Sequence, residues 1–284
     1  MNMEAPKREL INNGNTSLNV IIHSNDKSET ILLLHGGPGV PDNMLEVVNV
    51  LKTKYRVVTF EQRGTGASIC QDCSYTMDEY ISDIDAIMEK LDVKKFHLFG
   101  HSWGGLYAQI YASEKPHRID SLFLCSPSSG TNESWKKTEK EVMQFNKNNA
   151  SGGEWLKMGW YSLAGMLGSH NAYRKMFRLV LINYNKKYVN VEITDEYLST
   201  IFSDPVNKTR KEIIKYKSLP VLNIPEFPIL ISYGDNDIYG ESKRELPRRY
   251  PTAKIETIEK CGHIPWLHNL DAFKKILNEY YVKN

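Results

Sequence analysis

Phe96-His97-Leu98-Phe99-Gly100-His101-Ser102-Trp103-Gly104-Gly105-Leu106 is the stretch whose reading decides the fold. Its first four residues form an apolar run of buried-strand length, and residues 106–112 continue as a packed helix. A Gly-x-Ser-x-Gly pattern therefore falls on a strand-to-helix turn, the context of a nucleophile elbow. On such a turn the serine backbone is strained. Gly100 and Gly104 give clearance where a side chain would strike the neighbouring strand and helix. The helix start also directs free N–H groups toward any negative charge that forms nearby.

Outward from this turn, strands and helices alternate. Residues 9–11 and 18–22 flank Asn12-Asn13-Gly14-Asn15 and read as a β-hairpin. Residues 31–34 and 56–60 read as buried strands, with a helix expected over 42–52 between them. Thr76-Met77-Asp78-Glu79 is a capping box ahead of a helix carrying Tyr80, Ile84, Ile87, Met88 and Leu91. Residues 119–125 are a further strand. The alternation stops near Ser126. From 130 to 217 the period is helical, with Trp155, Met158, Trp160, Tyr161, Met166, Tyr173, Met176 and Phe177 crowding the middle. Strands return at 227–233 and 253–258, and a terminal helix covers 271–282. The expected architecture is α/β, with a mostly parallel central sheet and helices on both faces. Residues 1–129 and 218–284 form its core domain, and a helical cap of residues 130–217 is inserted between them.

The 284 residues, 41% hydrophobic and 25% charged, fit a globular chain of this size. A net charge of +2 gives no strong steering toward nucleic acid or an acidic membrane. Residues 1–10 lack the apolar core of a secretory signal, and no run is apolar for about 18 residues. The expectation is a cytoplasmic protein acting on a small-molecule substrate, with no nucleic-acid or membrane partner; the oligomeric state stays open. Cys70-x-x-Cys73 has the spacing of half a zinc site, but no second pair exists. The two read as loop thiols in a reducing compartment, and neither a metal nor an organic cofactor is expected.

Open parallel sheets gather their chemistry at the C-terminal ends of the strands. Ser102 follows one strand, Gly234-Asp235-Asn236-Asp237 another, and Cys261-Gly262-His263 the last. A serine hydroxyl needs a base, and His263 is placed to remove its proton and return it to the leaving group. An aspartate would hold the imidazole tautomer. Asp237, in the Gly-x-x-Asp position that hydrolases of similar fold tend to carry, is favoured over Asp235, whose alternative role is to cap the turn. The N–H groups of Trp103 and Gly37 are the candidate oxyanion donors, one such donor being worth roughly 3 kcal/mol in the transition state. Gly36, beside Gly37, is a candidate to border the substrate, as are Trp155, Trp160 and Tyr161. His35 and His101 read as structural and His268 as surface. Arg63 reads either as the partner of a buried carboxylate or as a surface residue.

Three blocks together resemble the proline iminopeptidase branch of the α/β-hydrolase superfamily: His35-Gly36-Gly37-Pro38-Gly39, Glu61-Gln62-Arg63-Gly64-x-Gly66-x-Ser68 and Gly100-His101-Ser102-Trp103-Gly104-Gly105. The resemblance implies an α/β-hydrolase fold and a Ser-Asp-His serine mechanism, with the substrate set by the lid. The family usually has aspartate where Glu61 stands. Iminopeptidases of this branch bind a free amine through lid acids, one form carrying Asn-Gly-Pro-x-Glu-Phe. The counterpart here is Ser203-Asp204-Pro205-Val206-Asn207-Lys208, so an ammonium would meet Asn207 and a cation. Glu192, Asp195, Glu196 and Glu212 are unmarked substitutes. The first reading is a serine esterase for a carboxylic ester or lactone. Its aromatic, Met-rich lid suits a bulky macrocyclic lactone such as a macrolide antibiotic, by likeness to serine-dependent macrolide esterases. The rivals are release of N-terminal proline and non-catalytic ligand binding. Haloalkane dehalogenases and epoxide hydrolases of this fold need a carboxylate nucleophile, which Ser102 excludes.

Overall fold

The computed structural model describes residues 5–23, 27–42, 44–71 and 74–283. Two strands, β1 (Lys7–Asn13) and β2 (Thr16–His23), form the hairpin, turning at Gly14 with φ 57°. Next come β3 (Thr30–Leu34), α1 (Leu45–Leu51), β4 (Arg56–Phe60), the short β5 (Ile69–Cys70), α2 (Met77–Lys90), β6 (Phe96–His101), α3 (Trp103–Glu114) and β7 (Ile119–Cys125). Five helices follow: α4 (Asn132–Asn149), α5 (Gly152–Met166), α6 (His170–Asn185), α7 (Asp195–Ser199) and α8 (Ser203–Lys215). The sheet then resumes with β8 (Ile229–Gly234), α9 (Gly240–Arg249), β9 (Lys254–Ile258), α10 (Pro265–His268) and α11 (Leu270–Lys283). The strand order is β1-β2-β4-β3-β6-β7-β8-β9, with β5 paired to β2. From β4 to β9 every neighbouring pair is parallel; β2 is antiparallel to both β1 and β4.

Alternation along the strands sorts the core into two layers. Leu32, Leu34, Val58, Leu98, Leu122, Leu124 and Ile231 pack with α2 and α3 on one face. Ile31, Leu33, Val57, Phe99, Phe123 and Leu230 pack with α1 and α11 on the other. Helix α3 runs through the centre, buried from Trp103 to Ala112.

Two local expectations are revised. The helix expected over 42–52 begins only at Leu45, because Met44 sits in the left-handed region at φ 45° and donates its N–H to Asp42 Oδ1 at 2.8 Å. At Thr76 only half of the capping box forms. The threonine side chain accepts from Glu79 N, while the Glu79 carboxylate turns 2.9 Å from Arg63 Nη2. Cys73 lies outside the described residues; Cys125 and Cys261 are buried free thiols.

Arg63 is fully buried. Its Nε and Nη2 each donate to Asp83 at 2.8 Å, and Nη1 donates to the carbonyl of Ser74 at 2.7 Å. Asn13 adds a further bond to Asp83 Oδ1. The pair fastens the loop after β4 to α2. Removing one member leaves a buried charge without its counter-ion. Arg63→Leu should therefore lower the unfolding free energy by roughly 3–5 kcal/mol in a urea titration, and Arg63→Leu with Asp83→Leu should recover part of that.

Candidate active site

Ser102 sits between β6 and α3 at φ 56° and ψ −117°. The turn is fixed from both sides, Ser102 N donating to Cys125 O at 3.1 Å and Ser128 N to Ser102 O at 3.0 Å. A Cβ at Gly104 would collide with the carbonyl of Leu34, and one at Gly100 with the carbonyl of Gly104. The elbow can close only because both positions lack a side chain.

His263 lies after β9 and Asp237 after β8. His263 Nε2 is 3.0 Å from Ser102 Oγ, and His263 Nδ1 is 3.0 Å from Asp237 Oδ1. All three side chains are buried. Burial alone would raise the Asp237 carboxyl, but the charge and hydrogen bond of His263 outweigh it and hold it below the usual carboxylate range. Asp237 is thus ionised at neutral pH and accepts the Nδ1 proton. That leaves a lone pair on Nε2, directed at the serine hydroxyl.

Asp235 occupies a different place. Its carboxylate accepts from the backbone N–H groups of Asn236, Lys260 and Cys261 at 2.8–2.9 Å, clipping the β8 end to the loop that carries His263. The bond from Cys261 N, opposed by desolvation and helped by those from Lys260 and Asn236, holds its pKa below the ordinary value.

Gly36 borders Ser102, since a Cβ there would lie 3.1 Å from Ser102 Cβ. Gly37, at φ 61°, follows in the same loop. Gln62 is a residue that sequence reasoning missed. Its Nε2 donates to His35 O at 3.0 Å, and its Oε1 accepts from Trp103 Nε1 at 2.8 Å. It thereby ties the Gly36–Gly37 loop to the residue after the serine. Only its position between Glu61 and Arg63 pointed toward it. Glu61 clasps its own loop to β2, accepting from Asn19 Nδ2 and Ala67 N.

The histidines divide as follows. His35 bonds to Gly36 O at 2.8 Å, and burial lowers its pKa to about 4. His101 does more than pack: its Nε2 bonds to the carbonyl of His263 at 2.8 Å, and burial, then the charge of His263, lowers its pKa to about 3. His268 is not a surface residue. It accepts from Gly262 N, bonds to Asn185 on α6 and stacks on Tyr188 at 4.1 Å. Burial, then the charge of His263, lowers its pKa to about 4. It is a neutral strut between the His263 loop and the inserted helices.

The aromatic candidates from the insertion are also redistributed. Trp160 is 67% exposed, Trp155 and Tyr161 are half-buried, and none of them lines the cleft beside His263. Helix α5 packs on α6 and α8 through its Met158 and Gly165 side, which leaves Leu156, Trp160, Leu163 and Leu167 outward. Phe145 of α4, Tyr184 of α6 and Tyr188, just after α6, line that cleft instead, with Tyr184 set edge-on to His263 at 5.4 Å. Asn207 joins helices: it accepts from Tyr173 OH at 2.6 Å and donates to Gly165 O at 3.0 Å. Lys208 pairs with Asp204 at 3.0 Å. Glu192, Asp195 and Glu196 are exposed.

A family profile described as alpha/beta hydrolase fold matches residues 29–269. The chain belongs to the α/β-hydrolase fold family. Within it, the chain is 24% identical over 278 residues to a proline iminopeptidase of Lactobacillus helveticus (strain DPC 4571), covering 92% of each chain. Among solved structures, a proline iminopeptidase from Mycobacterium smegmatis superposes with a TM-score of 0.69 at 16% identity, covering 98% of each chain. The naproxen esterase (carboxylesterase NP) from Bacillus subtilis superposes at 0.64 and 16%, covering 98% of this chain and 92% of that one. The chain is therefore a hydrolase of this fold family, and proline iminopeptidases are among the proteins it is similar to. No helix among the described residues is long and apolar enough to cross a membrane.

Proposed function

We propose that this hydrolase cleaves carboxylic esters or lactones through an acyl-enzyme on Ser102. His263 acts as base and then acid, and Asp237 holds the imidazole. The observation that carries the reading is the unbroken line of hydrogen bonds from Ser102 Oγ through His263 to Asp237 on a strained elbow. Ser102 loses its proton to Nε2 as Oγ attacks the carbonyl carbon. The N–H groups of Trp103 and Gly37 receive the oxyanion, and His263 returns the proton to the leaving oxygen. Water then reverses the sequence on the acyl-enzyme.

In this reading residues 130–217 are the cap. The room open to a water molecule beside His263 is about 20 Å³, enough for about one water. A macrocyclic lactone would need more room there than a simple ester.

Release of N-terminal proline is the second reading, favoured by the relatives and by Glu141. This α4 residue accepts from Glu241 N through Oε1 at 2.8 Å, while its Oε2 is buried with no hydrogen-bond partner among the described residues. An ammonium would satisfy it. A single plate carrying prolyl arylamides, simple esters and lactones separates the readings. Ester or lactone turnover well above prolyl amide turnover is expected, with Glu141→Gln leaving ester turnover within about threefold of wild type. Preferential prolyl cleavage, abolished by Glu141→Gln, would establish the peptidase instead.

A further inference from the structure

Tyr239 lies two residues past Asp237, immediately before α9, and is 5% exposed. Its hydroxyl is 3.1 Å from Ser102 Oγ, and Ser128 Oγ donates to it at 3.5 Å. The ring stands edge-on to His263 with centroids 4.6 Å apart. Its backbone N–H donates to Asp237 Oδ1 at 3.3 Å, the same oxygen that holds His263. Tyr239 is therefore anchored to every member of the catalytic line, although no motif in the sequence marks it.

Proton bookkeeping fixes its direction. Asp237 accepts a hydrogen bond from Nδ1–H, so Nε2 is an acceptor and the serine hydroxyl must donate to it. Ser102 Oγ then has only lone pairs for Tyr239, so the phenol donates to Oγ. Ser128 in turn donates to the phenolic oxygen. The donors run one way, from Ser128 through Tyr239 and Ser102 to His263. Burial raises the phenol's pKa above its ordinary value, which keeps that proton in place at neutral pH.

The line changes once Oγ bonds to carbon, because an oxygen in a new C–O bond is a poor acceptor. The leaving atom must then lie within reach of His263 Nε2, and the Tyr239 ring stands beside that imidazole. We propose that the Tyr239 hydroxyl transfers its hydrogen bond from Ser102 Oγ to the leaving oxygen, and so adapts this site to alcohol rather than amine leaving groups. The step balances. The C–OR bond breaks with its electron pair on oxygen, that oxygen takes the proton His263 removed from Ser102, and Tyr239 keeps its own proton throughout. A leaving oxygen has one lone pair for the His263 proton and another for Tyr239. A leaving amide nitrogen has a single lone pair, which the His263 proton occupies, so the buried phenol would be left with no acceptor.

The proposal rests on the serine mechanism above, and the test separates the two. Tyr239→Phe keeps the ring against His263 and removes only the hydroxyl. Wild type and variant are compared on esters of one acid with leaving alcohols from p-nitrophenol to ethanol. Labelling of Ser102 by a fluorophosphonate is measured in parallel. The variant should lose roughly 10- to 100-fold in kcat/KM on the ethyl ester. On the p-nitrophenyl ester, whose leaving group departs unaided, it should lose less than about threefold. Ser128→Ala, which removes the donor behind the phenol, should steepen the leaving-group dependence in the same direction and to a smaller degree. That arm still decides the matter if Tyr239→Phe does not fold. Equal losses on both esters, or no loss on either, would overturn the role of Tyr239. Failure of wild-type Ser102 to label would instead overturn the serine mechanism.

Discussion

Ser102→Ala should lower kcat/KM toward any ester the protein hydrolyses by at least about 10⁴-fold, while leaving its thermal midpoint close to that of wild type. The size of the loss follows from what alanine removes. Without Oγ there is no covalent intermediate, and His263 has no serine proton to take and return. What remains is water attack assisted by substrate binding and the N–H groups of Trp103 and Gly37. The fold should tolerate the change because the elbow is held by backbone bonds to Cys125 and Ser128 and by the absence of side chains at Gly100 and Gly104. Residual activity within about tenfold of wild type would mean that the nucleophile is elsewhere.

The two aspartates after β8 should behave as opposites. Asp237→Asn should cost about 10⁴-fold in kcat. An amide facing His263 Nδ1 presents its NH₂ as readily as its oxygen. That places the ring proton on Nε2, where it opposes the serine hydroxyl. Asp235→Asn should leave kcat within about threefold, because its carboxylate meets only loop backbone and Asn236. Its effect should appear in stability. The folded carboxyl is held below its unfolded value. Its contribution is therefore full above the unfolded carboxylate pKa and disappears as pH falls through the lower folded value. Thermal midpoints measured from pH 7 down to pH 3 should converge for wild type and Asp235→Asn at the acid end. If Asp235→Asn is instead the more damaging change to kcat, the roles are reversed.

Much of the sheet could be read from the chain because buried parallel strands are written as short apolar runs. Arg56–Phe60 and Ile119–Cys125 fall where those runs do. The elbow was legible for a different reason: few turns require glycine on both sides of a serine, and the collisions at Gly100 and Gly104 give the cause. Periodicity failed where it had to choose a direction. It groups Leu156, Trp160, Leu163 and Leu167 on one face of α5 but does not say whether that face meets the site or solvent, and here it meets solvent. It also carries no signal for isolated side chains brought in by loop geometry. Tyr239, Gln62 and His268 each act through one or two hydrogen bonds to residues far away in sequence. Arg63 shows the intermediate case. Its block was recognisable, but its burial against Asp83 depends on α2 lying across the loop after β4.

Fluorophosphonate labelling with the modified peptide located by mass spectrometry tests the central claim most directly. Folded wild-type protein should acquire one adduct, on Ser102, and His263→Ala should slow its formation by roughly 10³-fold or more. An adduct on another residue, no adduct at all, or labelling of Ser102 at an unchanged rate without His263 would contradict it.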